Sequence, residues 1–258
     1  MADILNTTEH RPYPLPAGPW RMTQRWNDLL FAHWPVAVEN VAALIPPGLI
    51  IDSFDGYAWV GVVPFQMDRV RTRIFGDHCI AVPTTSEFCE LNLRTYVHST
   101  ASGLHGVFFF ALDAASALAV LGARMLFQLP YFLASMQQRI EPDRTIHYDS
   151  RRLLTQRSVR FRAQYRGLGE VAAPAAGSLE YFLAERYCLF TTVGGRVLVG
   201  HIHHLPWPLQ TAEAEIQIDE LPSAHGIALP KRAPLLHFAK EQVVYIWSLR
   251  RDQPPEFV

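Results

Sequence analysis

The segment Phe88-Cys89-Glu90-Leu91-Asn92-Leu93-Arg94-Thr95-Tyr96-Val97 interleaves two kinds of residue. On an extended strand, successive side chains point to opposite faces. Phe88, Glu90, Asn92, Arg94 and Tyr96 then share one face, while Cys89, Leu91, Leu93, Thr95 and Val97 share the other. A carboxyl, an amide, a guanidinium and a phenol in one row admit two readings. On an outer face they are solvated, and a Glu90–Arg94 pair there contributes little. Inside a barrel, the same groups shift each other's charge and hold a ligand.

His201-Ile202-His203 places two imidazoles on one strand face, the beginning of a metal site. No third ligand follows at a regular spacing, so hydrogen-bonded sheet histidines are the expected outcome and no metal is assigned. Arg69, Arg71 and Arg73 share one strand face, and eight arginines against three acids fall between Arg139 and Arg166. Without aromatic side chains interleaved on the same face, such runs read as solvated surface rather than a nucleic-acid track. No G-x-S-x-G, Walker loop, G-x-G-x-x-G or H-E-x-x-H occurs, which removes the usual support for serine hydrolase, nucleotidase, dehydrogenase and metallopeptidase chemistry. The cations are 21 arginines and two lysines, Lys231 and Lys240, so amine nucleophiles are scarce.

The elements that must position these groups are mostly strands. Prolines at 12, 14, 16 and 19 make residues 1–20 an extended arm that joins no central sheet position. Pro35 suits the first turn of a helix through Val38, Val41 and Leu44, ended by Pro46-Pro47-Gly48. Asp55-Gly56 between two β-rich runs, 49–54 and 57–65, is a hairpin signal. Strands are expected over 69–75, 88–98 and 106–112. Asp113 suits the N-cap of a helix over 114–128, stopped by Pro130. Residues 158–166 alternate cleanly, with arginines on the wet face of a half-buried strand. Further strands over 179–192, 196–204, 213–218 and 243–249 bring the total to about ten. The expected architecture is mainly β (α+β): one domain over residues 1–258, a large curved or closed antiparallel sheet with two helices packed against it.

Composition agrees. The chain has 258 residues, 49% hydrophobic and 18% charged, with a formal charge of −1, which suits a large core and disfavours nucleic-acid binding. Three scattered cysteines argue against a disulfide scaffold and suit a reducing compartment. The N-terminus lacks a signal-peptide pattern, and the apolar stretch 107–136 is broken by Asp113 and Arg124. A cytoplasmic protein with no membrane contact is expected, and assembly into a homo-oligomer is left undecided.

The stretch Ala123-Arg124-Met125-Leu126-Phe127-Gln128-Leu129-Pro130-Tyr131-Phe132-Leu133-Ala134 resembles the signature of the acetoacetate decarboxylase superfamily. In that signature, a small residue and Arg open the motif and two lysines follow the proline. The first lysine forms a Schiff base with a keto acid, and the second lowers its pKa. Here those positions hold Tyr131 and Phe132. The whole chain is more similar to a branch of that superfamily, the uncharacterised bacterial YqjF-like family. The resemblance is carried by Leu29–Pro35, Asp55–Gly61, Glu90–Val97, Leu129-Pro130-Tyr131, Glu185-Arg186-Tyr187 and His203–Trp207. It implies a curved β-barrel around a cavity, with Glu90 and Arg124 at transferable site positions and a second active-site glutamate missing near Val60 or Gly61. A phenol cannot condense with a carbonyl, so Schiff-base decarboxylation is not expected. The expected site is a pocket of Glu90, Arg94, Arg124 and Tyr131 with aromatic walls from Trp34 and Trp59. It would take a small, weakly polar or aromatic molecule and need no cofactor. Two alternatives stand beside it. One is a lysine-independent enzyme using Tyr131 or Glu90 as acid–base on a carbonyl or carboxylate compound. The other is an interaction module presenting its basic strand at 160–166.

Overall fold

The computed structural model describes residues 4–76, 78–81, 87–121 and 128–254. Within them the β-branched and aromatic runs form fourteen strands of one sheet. In chain order these are β1 (Met22–Val36), β2 (Leu49–Ile51), β3 (Ala58–Phe75), β4 (His78–Ile80), β5 (Glu87–Ser99), β6 (His105–Ala114) and β7 (Tyr131–Ile140). They continue with β8 (Ile146–Arg152), β9 (Arg160–Ala172), β10 (Cys188–Val193), β11 (Arg196–His203), β12 (Leu209–Asp219), β13 (Leu235–Ile246) and β14 (Arg250–Arg251). Among the described residues the helical segments are short: α1 (Val38–Ala42), α2 (117–121), α3 (Leu179–Ala184) and α4 (Leu221–Ala224).

The sheet closes on itself because two strands share an edge between two partners. β6 gives one edge to β5, and its other edge pairs with β10 at Val107 and Phe108 but with β7 from Leu112 to Ala114. β13 gives one edge to β1 and divides the other between β12 and β11. Two rings result. One runs β1-β3-β5-β6-β7-β8-β9-β12-β13, the other β1-β3-β5-β6-β10-β11-β13. The pairing is antiparallel as expected except at β6–β7 and β6–β10, which are parallel. β1, β3 and β5 stand in the wall common to both rings and are buried on both faces, which explains unbroken apolar runs such as Leu29-Leu30-Phe31-Ala32. The first ring is packed solid by Leu30, Leu91, Leu93, Tyr148, Phe161 and Tyr165.

Two bulges shape the common wall. Asp28 (φ 53°) interrupts β1 and Arg69 (φ 49°) interrupts β3, each beside a register shift in the β1–β3 pairing. A bulge bends the strand and reverses which residues face inward. Asp28 is held there by Lys240 and by Gln138, while its carbonyl accepts from the Tyr165 hydroxyl at 2.9 Å.

Several local expectations change. Pro35 lies within β1, and α1 starts only at Val38. Asp113 is a strand residue, not an N-cap: its carboxylate accepts from Arg152 at 2.7 Å in a buried pair. The Ser116 hydroxyl accepts from Ala119 N–H at 3.2 Å and starts α2 instead, while 122–127 of the expected helix lie outside the described residues. The expected strand 179–192 splits into α3, capped by Ser178, and β10. Asp55 and Gly56 make the left-handed turn foreseen, with Phe54 and Tyr57 exchanging bonds of 3.0 and 3.1 Å. Beyond that turn, β2 pairs with β5 rather than β3. The proline-rich arm forms no strand among its described residues, yet Arg11 is buried and donates to Ile202 O at 2.8 Å.

Candidate ligand cavity

The second ring is not filled. It encloses a cavity of about 380 Å³ between the common wall and β10, β11 and β13. Leu29, Val63, Phe65, Met67, Phe109 and Leu112 supply apolar walls. Leu118 and Leu121 of α2 line it while remaining half exposed, so α2 stands at the mouth.

The polar row of β5 faces this space. Glu90, Asn92 and Arg94 line the cavity and are 3%, 6% and 8% exposed, which overturns the solvated-face reading. β5 keeps its alternation here because the opposite face, with Leu91 and Leu93, is claimed by the filled ring. Tyr131, the first residue of β7, donates its hydroxyl proton to Glu90 Oε2 at 2.9 Å. From the filled ring, Tyr148 donates to Glu90 O at 2.7 Å and pins the strand. Burial raises the Glu90 carboxyl to about 8, against the smaller opposing effect of the Tyr131 hydrogen bond. Burial and the neighbouring Glu90 raise Tyr131 well above the ordinary phenol range. At neutral pH the pair is therefore an uncharged acid beside an uncharged phenol.

Arg94 carries the charge nearby. Its Nη2 donates to Tyr96 Oη and to Leu183 O, each at 3.3 Å, and its guanidinium lies 5.3 Å from the Phe31 ring centre. Among the described residues no carboxylate pairs with it. Arg186 also lines the cavity but is neutralised by Asp52 at 2.6 Å. Burial opposes ionisation of Asp52, yet Arg186 and His105 together hold its pKa below the usual range.

Three of the six expected site residues thus come together: Glu90, Arg94 and Tyr131. Trp34 does not join them. It follows the Asp28 bulge, so it faces the filled ring, whereas Trp26, on the other side of the bulge, lines the cavity. Trp59 packs with Tyr96, Val107 and Leu183 in a separate cluster. Leu183 of α3 belongs to the same cluster as Trp59, while the next residue, Ala184, lines the cavity. Arg124 lies outside the described residues. Phe132 points the other way from Tyr131, with Arg152 stacked 3.8 Å from its ring centre.

The two expected sheet histidines have protein partners. His203 lies 2.6 Å from Ile4 O and 3.0 Å from Arg11 Nη1, and His201 lies 3.6 Å from the Cys188 sulfur. Lys231 is exposed and Lys240 is bonded to Asp28; neither lines the cavity. Sequence reasoning had not placed Arg186, His204 and Trp207 in the wall. All three fall in the motifs that carried the family resemblance. Glu185 fixes this corner, accepting from Trp207 N–H at 2.7 Å and from the Tyr187 hydroxyl.

Comparison with known proteins sets this geometry in a lineage. The model of the DUF2071 family, described as an uncharacterized conserved protein, matches residues 23–243. The chain belongs to that family. Within it, the chain is 46% identical over 237 residues to the uncharacterized protein YqjF of Bacillus subtilis (strain 168), covering 92% of this chain and 95% of YqjF. Among solved structures, the enduracididine biosynthesis enzyme MppR complexed with pyruvate superposes with a TM-score of 0.60 at 12% identity over 93% of each chain. An acetoacetate decarboxylase-like enzyme from Sphingomonas wittichii RW1 gives 0.59 at 14% identity, over 93% of this chain and 97% of its own. An acetoacetate decarboxylase gives 0.58 at 12%, over 98% and 99%. At these identities the likeness establishes the fold: this DUF2071 member has the acetoacetate decarboxylase-like architecture. No helix among the described residues is long and apolar enough to cross a membrane.

Proposed function

We propose that the cavity binds a small, mainly apolar molecule by one hydrogen-bonding end. The observation that carries this reading is the Glu90–Tyr131 pair, buried and uncharged at neutral pH in a mainly apolar chamber. A protonated carboxyl and a phenol can both donate and accept, and they suit a carbonyl, hydroxyl or carboxyl group. Arg94 adds a cation that lets this end be anionic. MppR, which shares the fold, is described in complex with pyruvate, so carbonyl and carboxylate compounds are the first class to test.

A second reading, acid–base chemistry on such a compound, draws on the same pair, because a carboxyl near 8 gives and takes protons close to neutral pH. The basic-strand reading has less support: Arg162 pairs with Asp149 and Arg166 with Glu213, so the outer face of β9 is largely neutralised.

Thermal-shift measurements with aryl-substituted acids, medium-chain fatty acids and short keto acids test the proposal. Apolar members with one polar end should raise the melting temperature. Tyr131→Phe should weaken their binding about tenfold, as expected for loss of a buried hydrogen bond of about 1.4 kcal/mol. If no compound binds, or binding ignores the substitution, the reading fails. Turnover of a bound compound would favour the second reading.

A further inference from the structure

On the far side of Arg186 from the cavity, three side chains of metal-ligating type meet. His98 and His105 face each other across the β5–β6 pairing, with ring centres 5.4 Å apart and planes 31° from parallel. Asp52, just past β2, is drawn in by its backbone N–H, which donates to Tyr96 O at 3.0 Å. We propose that Asp52, His98 and His105 form a binding site for a transition-metal dication of the zinc type.

Each of the three offers a ligand atom within 4.8 Å of the other two. A tetrahedral zinc ion with bonds of about 2.0–2.2 Å holds its ligands roughly 3.3 Å apart, so modest side-chain rotations close the set. One edge is already short, since His105 Nδ1 lies 2.8 Å from Asp52 Oδ2. His98 Nδ1 is buried and makes no hydrogen bond, although a buried polar atom is normally satisfied. Two imidazoles and one carboxylate select a borderline ion over magnesium or calcium, which require oxygen ligands. The His105 side chain is 48% exposed, so water can complete the coordination. Arg186, 2.6 Å from the same Asp52 oxygen, orients the carboxylate but repels a dication. Affinity in the micromolar range is therefore expected rather than that of a closed structural site.

The test uses the full, untagged chain, stripped with a chelator and dialysed against micromolar zinc chloride. One zinc per chain is expected, and cobalt(II) in its place should show tetrahedral visible absorption bands. His105→Ala, on an exposed side chain, should reduce zinc affinity at least about tenfold, as should His98→Gln. His78→Ala, on exposed β4, should leave it unchanged. Zinc content near zero overturns the proposal. So does stoichiometric zinc that survives His105→Ala, even if the His98 variant fails to fold.

Discussion

Glu90 shows how much a residue's chemistry depends on where it is put. The β5 alternation already grouped it with Asn92, Arg94 and Tyr96, but nothing in that pattern told an ionised carboxylate from a neutral acid. Burial decides it, raising the carboxyl from 4.5 to about 8. The sign of the consequence follows from linkage. Below 4.5 both folded and unfolded chains hold the proton; between 4.5 and about 8 only the folded chain does. Stability from this group is thus complete at low pH and is lost as pH rises through about 8. At about 1.4 kcal/mol per unit, the total amounts to several kcal/mol. Glu90→Gln keeps an acceptor for Tyr131 and removes the titration. In urea unfolding, this variant should gain on the wild type steadily as pH increases across that window. Parallel pH profiles for the two proteins would refute the assignment.

At the scale of elements, neighbouring strands set what each position tolerates. His33, Gly61 and Arg94 are aligned across β1, β3 and β5. The His33 ring lies over Gly61, where an added Cβ would sit 2.8 Å from Nε2 and 2.9 Å from Cδ2. The ring cannot easily yield, because its Nε2 donates to Tyr96 Oη at 2.7 Å and Tyr96 in turn donates to Leu183 O. His33 thus holds the volume that any side chain at Gly61 would need. Gly61→Ala should destabilise the fold by about 1–3 kcal/mol, the usual cost of overpacking. Combining it with His33→Ala should cost clearly less than the sum of the two single changes. Additive effects in chemical denaturation would show that the ring is not what excludes a side chain. The Asp28 bulge belongs to the same scale. It separates Trp26, inside the cavity, from Trp34, outside it, although both are even-numbered positions of one strand.

For the molecule as a whole, the two rings differ: one is filled by side chains, the other encloses the cavity. The same topology distributes the two lysine amines. Lys240 is tied to Asp28 and Lys231 is exposed, while Tyr131 stands in the cavity. Borohydride reduction with acetoacetate, pyruvate or a longer keto acid should therefore leave the intact mass unchanged. A stable adduct mapped to either lysine would show that an imine-forming site exists where the structure gives no sign of one.

Much of this was legible in the residues themselves. β-rich runs, turn dipeptides and a polar row on one strand face are local signals, set by backbone sterics and by a period of two; they pointed to a curved sheet and grouped Glu90 with Arg94, while the resemblance to a known family drew attention to Tyr131. The family motifs added the architecture. What they could not supply was anything decided by partners distant in the chain. The edge sharing of β6 and β13 makes two rings instead of one, the Asp28 bulge turns Trp34 away, and Trp59 packs into a separate cluster with Leu183 of α3. The meeting of Asp52 with His98 and His105 has no sequence signature at all, because their proximity comes from strand pairing. Period and composition are properties of short segments, whereas burial, bulge parity and ring closure exist only once the whole sheet has formed.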